Sequence, residues 1–256
     1  MSAKRPLAIV TGARRGIGAA IATGLARRGV DLAIVDLPGD DASDTRTAIA
    51  GQGGRAAFFA LDLAEIAAHG GVLQSIEAWG GEIACLVDNA GLPAAVRGDL
   101  LDLQADAFDR VLDVNLRGTF FFTQAVAKRM VAANRGASAR SIIVVSSVSA
   151  ESASIERGEY CLSKAALPML VRLFALRLAP HGIGVFEVRP GIIKTPMTAP
   201  VAGKYDQRIA DGLVPAGRWG EPDDIGRIVA ALAGGDFGFA TGSVIDAGGG
   251  LTIPRL

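Results

Sequence analysis

A doubly wound α/β sheet, parallel throughout and covered by helices on both faces, is the architecture this sequence predicts. Three observations predict it. Short apolar runs of strand length alternate along the chain with longer segments of helical period, the pattern of successive β-α units. The first run, Leu7-Ala8-Ile9-Val10, leads directly into the glycine-rich turn Thr11-Gly12-Ala13-Arg14-Arg15-Gly16-Ile17-Gly18. Half the residues are apolar but only 5% are aromatic, and Ala and Gly dominate, which suits close packing of helices on a sheet. No Pro/Gly linker, charge run or repeat of fixed period divides the 256 residues, so a single domain over 1–256 with about seven strands is expected.

In chain order, the strand at 7–11 is the first apolar run, and the helix at 16–28 carries Ile21, Leu25 and Ala26 on one face. A strand at 31–36 ends at Asp36 before the turn residues Pro38 and Gly39, and a helix follows at 41–51. The strand at 55–61 contains Phe58-Phe59-Ala60-Leu61 and feeds a helix at 65–79. The strand at 83–88 precedes Asn89-Ala90-Gly91, and one long helix is expected over 104–133. Ser141-Ile142-Ile143-Val144-Val145-Ser146-Ser147 forms the next strand, followed by an apolar helix at 159–179 and the turn Pro180-His181-Gly182. Strands at 183–189 and 243–246, with a helix at 222–233, complete the alternation. The stretch 197–220 breaks the rhythm with Pro200, Gly203, Gly212, Pro215 and Gly217, and a loop of that length reads as a substrate lid.

The first strand, turn and helix start make a Rossmann-type pyrophosphate cradle. Glycines allow close approach of backbone to phosphate, and the helix N-terminus offers unpaired N–H groups. The spacing here is Gly-x-x-x-Gly-x-Gly rather than Gly-x-Gly-x-x-Gly. Further on, Tyr160 and Lys164 stand four residues apart, which puts a phenol and an ammonium on one helix face. A free phenol titrates near ~10, and a cation about 4 Å away supplies on the order of 4 kcal/mol, enough to bring it to about 7. Lys164 is therefore expected to make Tyr160 a proton donor and acceptor at neutral pH. Ser147, thirteen residues upstream, closes an apolar strand and is placed to present its hydroxyl at the strand's carboxyl end.

Taken in order, these motifs resemble the short-chain dehydrogenase/reductase family from about residue 5 to the C-terminus. The family's Thr-Gly-x-x-x-Gly-x-Gly turn is similar to Thr11–Gly18, and its Asn-Ala-Gly segment to Asn89-Ala90-Gly91. Its catalytic Asn looks like Asn115, its Ser, Tyr and Lys like Ser147, Tyr160 and Lys164, and its Pro-Gly-x-x-x-Thr segment like Pro190 to Thr195. The subgroup it looks most like is labelled 3-oxoacyl-acyl-carrier-protein reductase-like, a label covering varied substrates. The resemblance implies reversible hydride transfer between a nicotinamide and a secondary alcohol or ketone. Tyr160 would exchange the proton on oxygen, Ser147 would hydrogen-bond that oxygen, Lys164 would hold the ribose hydroxyls, and Asn115 would anchor a water relaying protons to Lys164. It also implies cofactor contacts from Gly12, Arg15, Gly16, Ile17, Gly18, Asp62, Leu63, Asn89, Ala90, Gly91, Pro190, Gly191, Ile193 and Thr195, with Asp62 on the adenine amine.

Asp36, eighteen residues after Gly18, decides between cofactors. A carboxylate there accepts both ribose hydroxyls of NAD and repels the 2′-phosphate of NADP. Arg15 leans the other way, because a basic residue before the second glycine often accompanies NADP in the family. NAD is the expected cofactor and NADP the less favoured one. Three positions depart from the family pattern: Asp88 where a first Asn is common, Gly248 where an Asp often precedes the final glycines, and Pro168 inside the catalytic helix. None removes a catalytic group.

Other classes are disfavoured. With 26 basic and 26 acidic residues the net charge is zero, which argues against a nucleic-acid role. No apolar run approaches ~20 residues, so no membrane span is expected. Met1 to Pro6 is too short and polar for a secretion signal, and Cys85 and Cys161 lack metal-ligand spacing, so no metal and a reduced cytoplasmic setting are expected. His69 and His181 read as solvated or capping. The segments 115–133 and 160–178 are apolar over more than one face, which predicts self-association, a homotetramer by resemblance. For substrate, Arg97 and Arg157 near the expected site favour a small polar hydroxy or oxo compound, such as a polyol or hydroxy acid, with NAD. A 3-oxoacyl thioester reduced with NADPH is the alternative, and a catalytically silent nucleotide sensor a remote one.

Overall fold

In the computed structural model, which describes residues 5–133 and 139–255, the apolar runs lie side by side as a seven-stranded parallel sheet. The part of the N-terminal expectation that concerns residues 1–4 lies outside the described residues. The elements, in order, are β1 (Leu7–Thr11), α1 (Gly16–Ala26), β2 (Asp31–Asp36), α2 (Ser43–Ala50), β3 (Ala56–Ala60), α3 (His69–Gly80) and β4 (Ile83–Asp88). They continue with α4 (Ala105–Leu112), α5 (Thr119–Ala132), β5 (Arg140–Val145), α6 (Gly158–Leu178), β6 (Ile183–Pro190), α7 (Ala202–Ala210), α8 (Pro222–Leu232) and β7 (Val244–Ala247).

The strand order is β3-β2-β1-β4-β5-β6-β7, and every pairing is parallel. The order reverses between β1 and β4, the switch point where doubly wound sheets bind ligands at the carboxyl ends of their strands.

Alternation along each strand divides the core. Leu7 and Ile9 of β1, Ile142 and Val144 of β5, and Ile183 and Val185 of β6 meet α3, α5 and α6 through Leu73, Phe122, Val126, Leu170 and Phe174. Ala8 and Val10, Ile143 and Val145, and Phe186 and Val188 meet α1, α2 and α8 through Ile21, Leu25, Ile49, Ile225 and Val229. Each fully buried side chain of this size stabilises the fold by about 1.5–3 kcal/mol. The α1–α8 crossing is tight because glycines meet there: a Cβ on Gly24 would lie 3.0 Å from the Gly226 carbonyl oxygen, and one on Gly226 would lie 2.6 Å from that of Ala20.

The structure corrects three local expectations. The helix expected over 104–133 is interrupted, since Asp113–Gly118 forms a π-helical segment between α4 and α5, with buried Asn115 inside it. Such wide turns commonly mark functional positions. The stretch 197–220 contains helix α7, whose Ile209 packs with Ile192 and Val214 in a small apolar cluster of its own, flanked by Tyr205 and Trp219. His69 is buried rather than solvated, with Nε2 2.9 Å from the Leu63 carbonyl and its ring edge-on to Phe122. The His181 Nε2 lies 2.9 Å from Arg177 Nη1 just past the end of α6. Helix α6 runs unbroken through Pro168.

Candidate active site

A cleft of about 520 Å³ follows the carboxyl ends of the strands, within the usual range for cofactor and substrate pockets. Every residue expected to bind cofactor or act in catalysis lines it, except Asn115, which lies behind the wall.

At the nucleotide end, Gly12, Arg15, Gly16, Ile17 and Gly18 form the floor. Gly12 (φ 67°) and Gly16 (φ 59°) take left-handed backbone, where only glycine is unstrained. A Cβ on Gly12 would lie 2.8 Å from the Ala90 Cα, and one on Gly18 would overlap the Gly12 carbonyl oxygen. No side chain caps α1, so its first N–H groups face the cleft free to receive phosphate oxygens. These features fit a dinucleotide.

The neighbouring Asn89 holds this turn in shape. Its Nδ2 donates to the carbonyls of Thr11 (2.9 Å) and Gly12 (3.0 Å), while the N–H groups of Asn89 and Ala90 both donate to the Thr11 hydroxyl. Both Asn89 amide hydrogens are therefore engaged within the protein. On the far side of the cleft, Gly191 packs on Gly248, where a Cβ would come within 2.6 Å. The side chain missing at Gly248 is thus replaced by backbone contact. Thr195 and Ile193 line the rim, braced by Thr198, whose hydroxyl donates to the Ile193 carbonyl at 2.7 Å.

Asp36 closes β2 on the cleft wall, where the sequence predicts the ribose. The backbone N–H of Arg14 donates to its Oδ2 at 3.2 Å and that of Leu37 to its Oδ1 at 2.8 Å, while the Arg14 guanidinium forms a 3.1 Å ion pair. Asp62 is paired too: Arg110 Nη2 lies 2.8 Å from Oδ2, and the Ala64 N–H donates to Oδ1. Burial pushes its carboxyl up, but the Arg110 hydrogen bond, the Ala64 N–H and the Arg110 charge together hold it below the usual range. Leu63 lines the cleft beside it and uses its carbonyl to hold His69. Arg14 and Arg110 were not singled out from sequence. Arg14 had a signal, its place beside Arg15 in the glycine turn. Arg110 had none, because its pairing with Asp62 joins a helix to a strand end 48 residues away.

At the other end, α6 presents Tyr160 and Lys164 over the end of β5, where Ser147 follows the strand. Ser147 adopts extended backbone and its Oγ accepts the Ser149 N–H at 3.1 Å. The Ser147 hydroxyl and the Tyr160 phenol line the same end of the cleft. Buried Lys164 donates to the Val145 carbonyl at 3.2 Å, with Nζ 5.9 Å from the centre of the Tyr160 ring. Asn115, buried in the π segment, accepts the Leu92 N–H on Oδ1 at 2.7 Å and donates to the Leu92 carbonyl and the Ser163 hydroxyl, both at 3.0 Å. Its amide clamps the loop after Gly91 onto α6, so a relay water would need the Asn115 main-chain carbonyl rather than the amide hydrogens.

Burial pushes the Tyr160 phenol up, while the neighbouring Ser147 hydroxyl and the charges of Arg157 and Arg97 pull it down. Burial lowers Lys164 itself to about 8, opposed by the Glu187 carboxylate. The Arg157 guanidinium carbon sits 5.4 Å from the Tyr160 ring centre. Among the described residues no cluster of His, Cys, Asp or Glu suits a metal ion, and no helix is long and apolar enough to cross a membrane.

Residues 12–252 match the family model described as enoyl-(acyl carrier protein) reductase. The chain is 36% identical over 255 residues to the mouse (Mus musculus) (3R)-3-hydroxyacyl-CoA dehydrogenase, covering 96% of this chain and 95% of that one. It is 32% identical to the D-threitol dehydrogenase of Mycolicibacterium smegmatis, with 96% and 93% covered. A crystal structure of a 3-oxoacyl-[acyl-carrier protein] reductase from Brucella melitensis in complex with NAD superposes with a TM-score of 0.97 at 55% identity, covering 100% of both chains.

Proposed function

The chain belongs to the short-chain dehydrogenase/reductase family, and on that premise we propose that it oxidises the secondary alcohol of a small polar hydroxy compound with NAD and reduces the matching ketone in reverse. The observation that carries the reading is that Ser147, Tyr160 and Lys164 line one end of the cleft together, remote from Asp36. A carbinol placed between the Ser147 and Tyr160 hydroxyls meets a donor, an acceptor and a proton-exchanging group at one oxygen.

When bound, the nicotinamide supplies or accepts the hydride. The protein's part is proton handling and positioning. In oxidation Tyr160 takes the proton from the carbinol oxygen while Ser147 donates a hydrogen bond to that oxygen, and the roles reverse in reduction. Lys164, held over the end of β5, holds the ribose hydroxyls and passes the proton onward through water on the Asn115 carbonyl. The Asp36 carboxylate takes the adenosine ribose hydroxyls, which supports NAD, as does the NAD held by the Brucella structure. The segment 197–220, which brings Met197, Thr198 and Tyr205 to the cleft wall, serves as the lid.

A second reading is reduction of a 3-oxoacyl thioester with NADPH; the names of the Brucella and mouse relatives favour its thioester substrate. The deciding assay sets NADH and NADPH against an acetoacetyl thioester, beside NAD-linked oxidation of polyols and hydroxy acids. Tyr160→Phe should cost about 10²–10⁴-fold in turnover while dinucleotide binding persists. Near-full turnover in that variant, with a verified substrate, overturns the mechanism.

A further inference from the structure

The charges along the cleft are unevenly matched. Its two carboxylates, Asp36 and Asp62, lie at the nucleotide end, and each is paired with an arginine of its own. The catalytic end carries Arg97, Arg157 and Lys164, and no carboxylate lines it. Neither Arg97 nor Arg157 forms an ion pair among the described residues, although Arg157 sits between Glu156 and Glu159 in sequence. Glu156 turns to Lys204 at 3.6 Å, and buried Glu159 does not line the cleft. The Nε of Arg157 is wholly buried without a hydrogen-bond partner. A polar atom buried without a partner is costly and calls for a ligand, a water or an ion to complete it. Arg157 is also the N-cap of α6, so the free N–H groups of that helix add positive potential at the same place.

We propose that Arg157 and Arg97 form a carboxylate-binding subsite beside Tyr160, making the substrate a 2- or 3-hydroxy acid rather than a neutral alcohol or a thioester. This rests on the reading of Tyr160 as the proton-exchanging group. The guanidinium fork matches a carboxylate bidentately. Because Arg157 lies against the phenol ring, an acid gripped there bears its carboxylate on the carbinol carbon itself or on the carbon next to it. Esterification of that carboxylate to a carrier removes the charge, and a carrier's phosphates lie far down a long flexible arm. A bound carboxylate also offsets part of the positive charge around Tyr160, where the charges of both arginines are felt.

The test measures binding of butanoate and of butanamide, its uncharged isostere, to the enzyme–NADH complex by calorimetry. Alongside it run initial rates with 3-hydroxybutanoate, its methyl ester and its coenzyme A thioester. Butanoate should bind at least about tenfold tighter than butanamide, and the free acid should be the best of the three substrates. Arg157→Met should weaken butanoate by about 10–100-fold, with a smaller effect on butanamide, and Arg157→Lys should recover part of the loss. Arg97→Met, on an exposed loop, gives the same comparison where the Arg157 variant fails to fold. Equal binding of butanoate and butanamide, equal losses for both in the variants, or preference for the thioester overturns the subsite. Displacement of butanoate by lower concentrations of inorganic phosphate reassigns the pair to a phosphorylated substrate and overturns it equally. Butanoate binding that survives Tyr160→Phe, together with retained turnover in that variant, faults the reading of Tyr160 and leaves the subsite standing.

Discussion

Arg14 holds Asp36 from two sides, through its backbone N–H to Oδ2 at 3.2 Å and its guanidinium Nε to Oδ1 at 3.1 Å. The carboxylate is thereby fixed facing the cleft, while the cation that would welcome a 2′-phosphate is neutralised by it. Asp36→Ala removes the repulsion and frees Arg14 and the adjacent Arg15 together. The ratio of kcat/KM for NAD over NADP should fall by about 10–100-fold, the worth of a hydrogen bond to a charged group. Initial rates with each cofactor measure this ratio; an unchanged value rules out Asp36 as the determinant.

Asp88 predicts a pH-dependent stability. It is buried at the end of β4, its Oδ2 lies 2.7 Å from the Thr123 hydroxyl, and its Oδ1 has no partner. The Thr123 hydroxyl also lies 2.7 Å from the Thr119 carbonyl, and it has one hydrogen to give. A neutral Asp88 resolves this, donating its own O–H to Thr123 while Thr123 donates to Thr119. Burial accordingly pushes Asp88 up to about 7. Between roughly pH 4 and 7 the folded chain holds a proton that the unfolded chain has released, so stability falls as pH rises through that window and levels off above it. The whole effect is on the order of 4 kcal/mol. Asp88→Asn keeps the donor and abolishes the slope. Urea unfolding midpoints of both proteins from pH 4.5 to 8 should diverge as pH rises; a constant difference excludes a neutral Asp88.

How far the sequence reveals this molecule depends on whether a property is local. The strands were legible because apolar runs such as Leu7–Val10 and Ile142–Val145 announce themselves, and the glycine turn because its left-handed positions admit little else. Tyr160, Lys164 and Ser147 were found by spacing, and they do share one end of one cleft. What the sequence hid depends on distance in space. The π segment around Asn115 leaves no mark in a helical period, and Asp62 with Arg110, or Asp36 with the Arg14 side chain, pair only once the sheet is assembled. Lys164 shows the same division: four residues of spacing place it on the face of Tyr160, but its contact with the Val145 carbonyl appears only once α6 packs over β5. His69 looked solvated because flanking Ala and Gly gave no hint of the Leu63 carbonyl awaiting it.

Gly18 and Gly71 should respond oppositely to the same substitution. A Cβ on Gly18 overlaps the Gly12 carbonyl and comes within 2.6 Å of Asn89 Nδ2, so Gly18→Ala must push the turn open. Dinucleotide affinity should drop by more than about tenfold, with a loss of about 1–3 kcal/mol in stability. Gly71 lies within α3 with nothing near its Cβ position, so Gly71→Ala should stabilise by about 0.4–1 kcal/mol and leave cofactor binding alone. Thermal melts with and without NAD separate the two outcomes, and a Gly18→Ala protein that binds NAD normally shows that the turn is not the phosphate cradle.

The outer faces of α5 and α6 are the strongest sign of self-association. The inner faces behave as core, with Phe122, Val126, Leu170 and Phe174 buried. Yet Leu162 (55% exposed), Met169 (52%), Leu173 (53%) and Leu176 (79%) stand on the solvent side of one helix, with Phe121 on its neighbour. A groove of about 440 Å³ between the helices is lined by Phe120, Val131, Leu173 and Phe174. Isolated exposed apolar residues are ordinary, but a row of them along one helix beside an apolar groove marks an interface. A two-fold packing of α5 and α6 on the same helices of a second copy would cover both features at once, since each copy offers knob and groove. Light scattering at micromolar concentration should give about four times the 26.3 kDa chain mass for the wild type. Leu173→Glu combined with Leu176→Asp places two charges on that face without touching the buried one, and should lower the mass to that of a dimer or monomer while the circular dichroism spectrum stays folded. A wild-type protein that is monomeric under these conditions, or a double variant that assembles normally, removes this face from consideration as the interface.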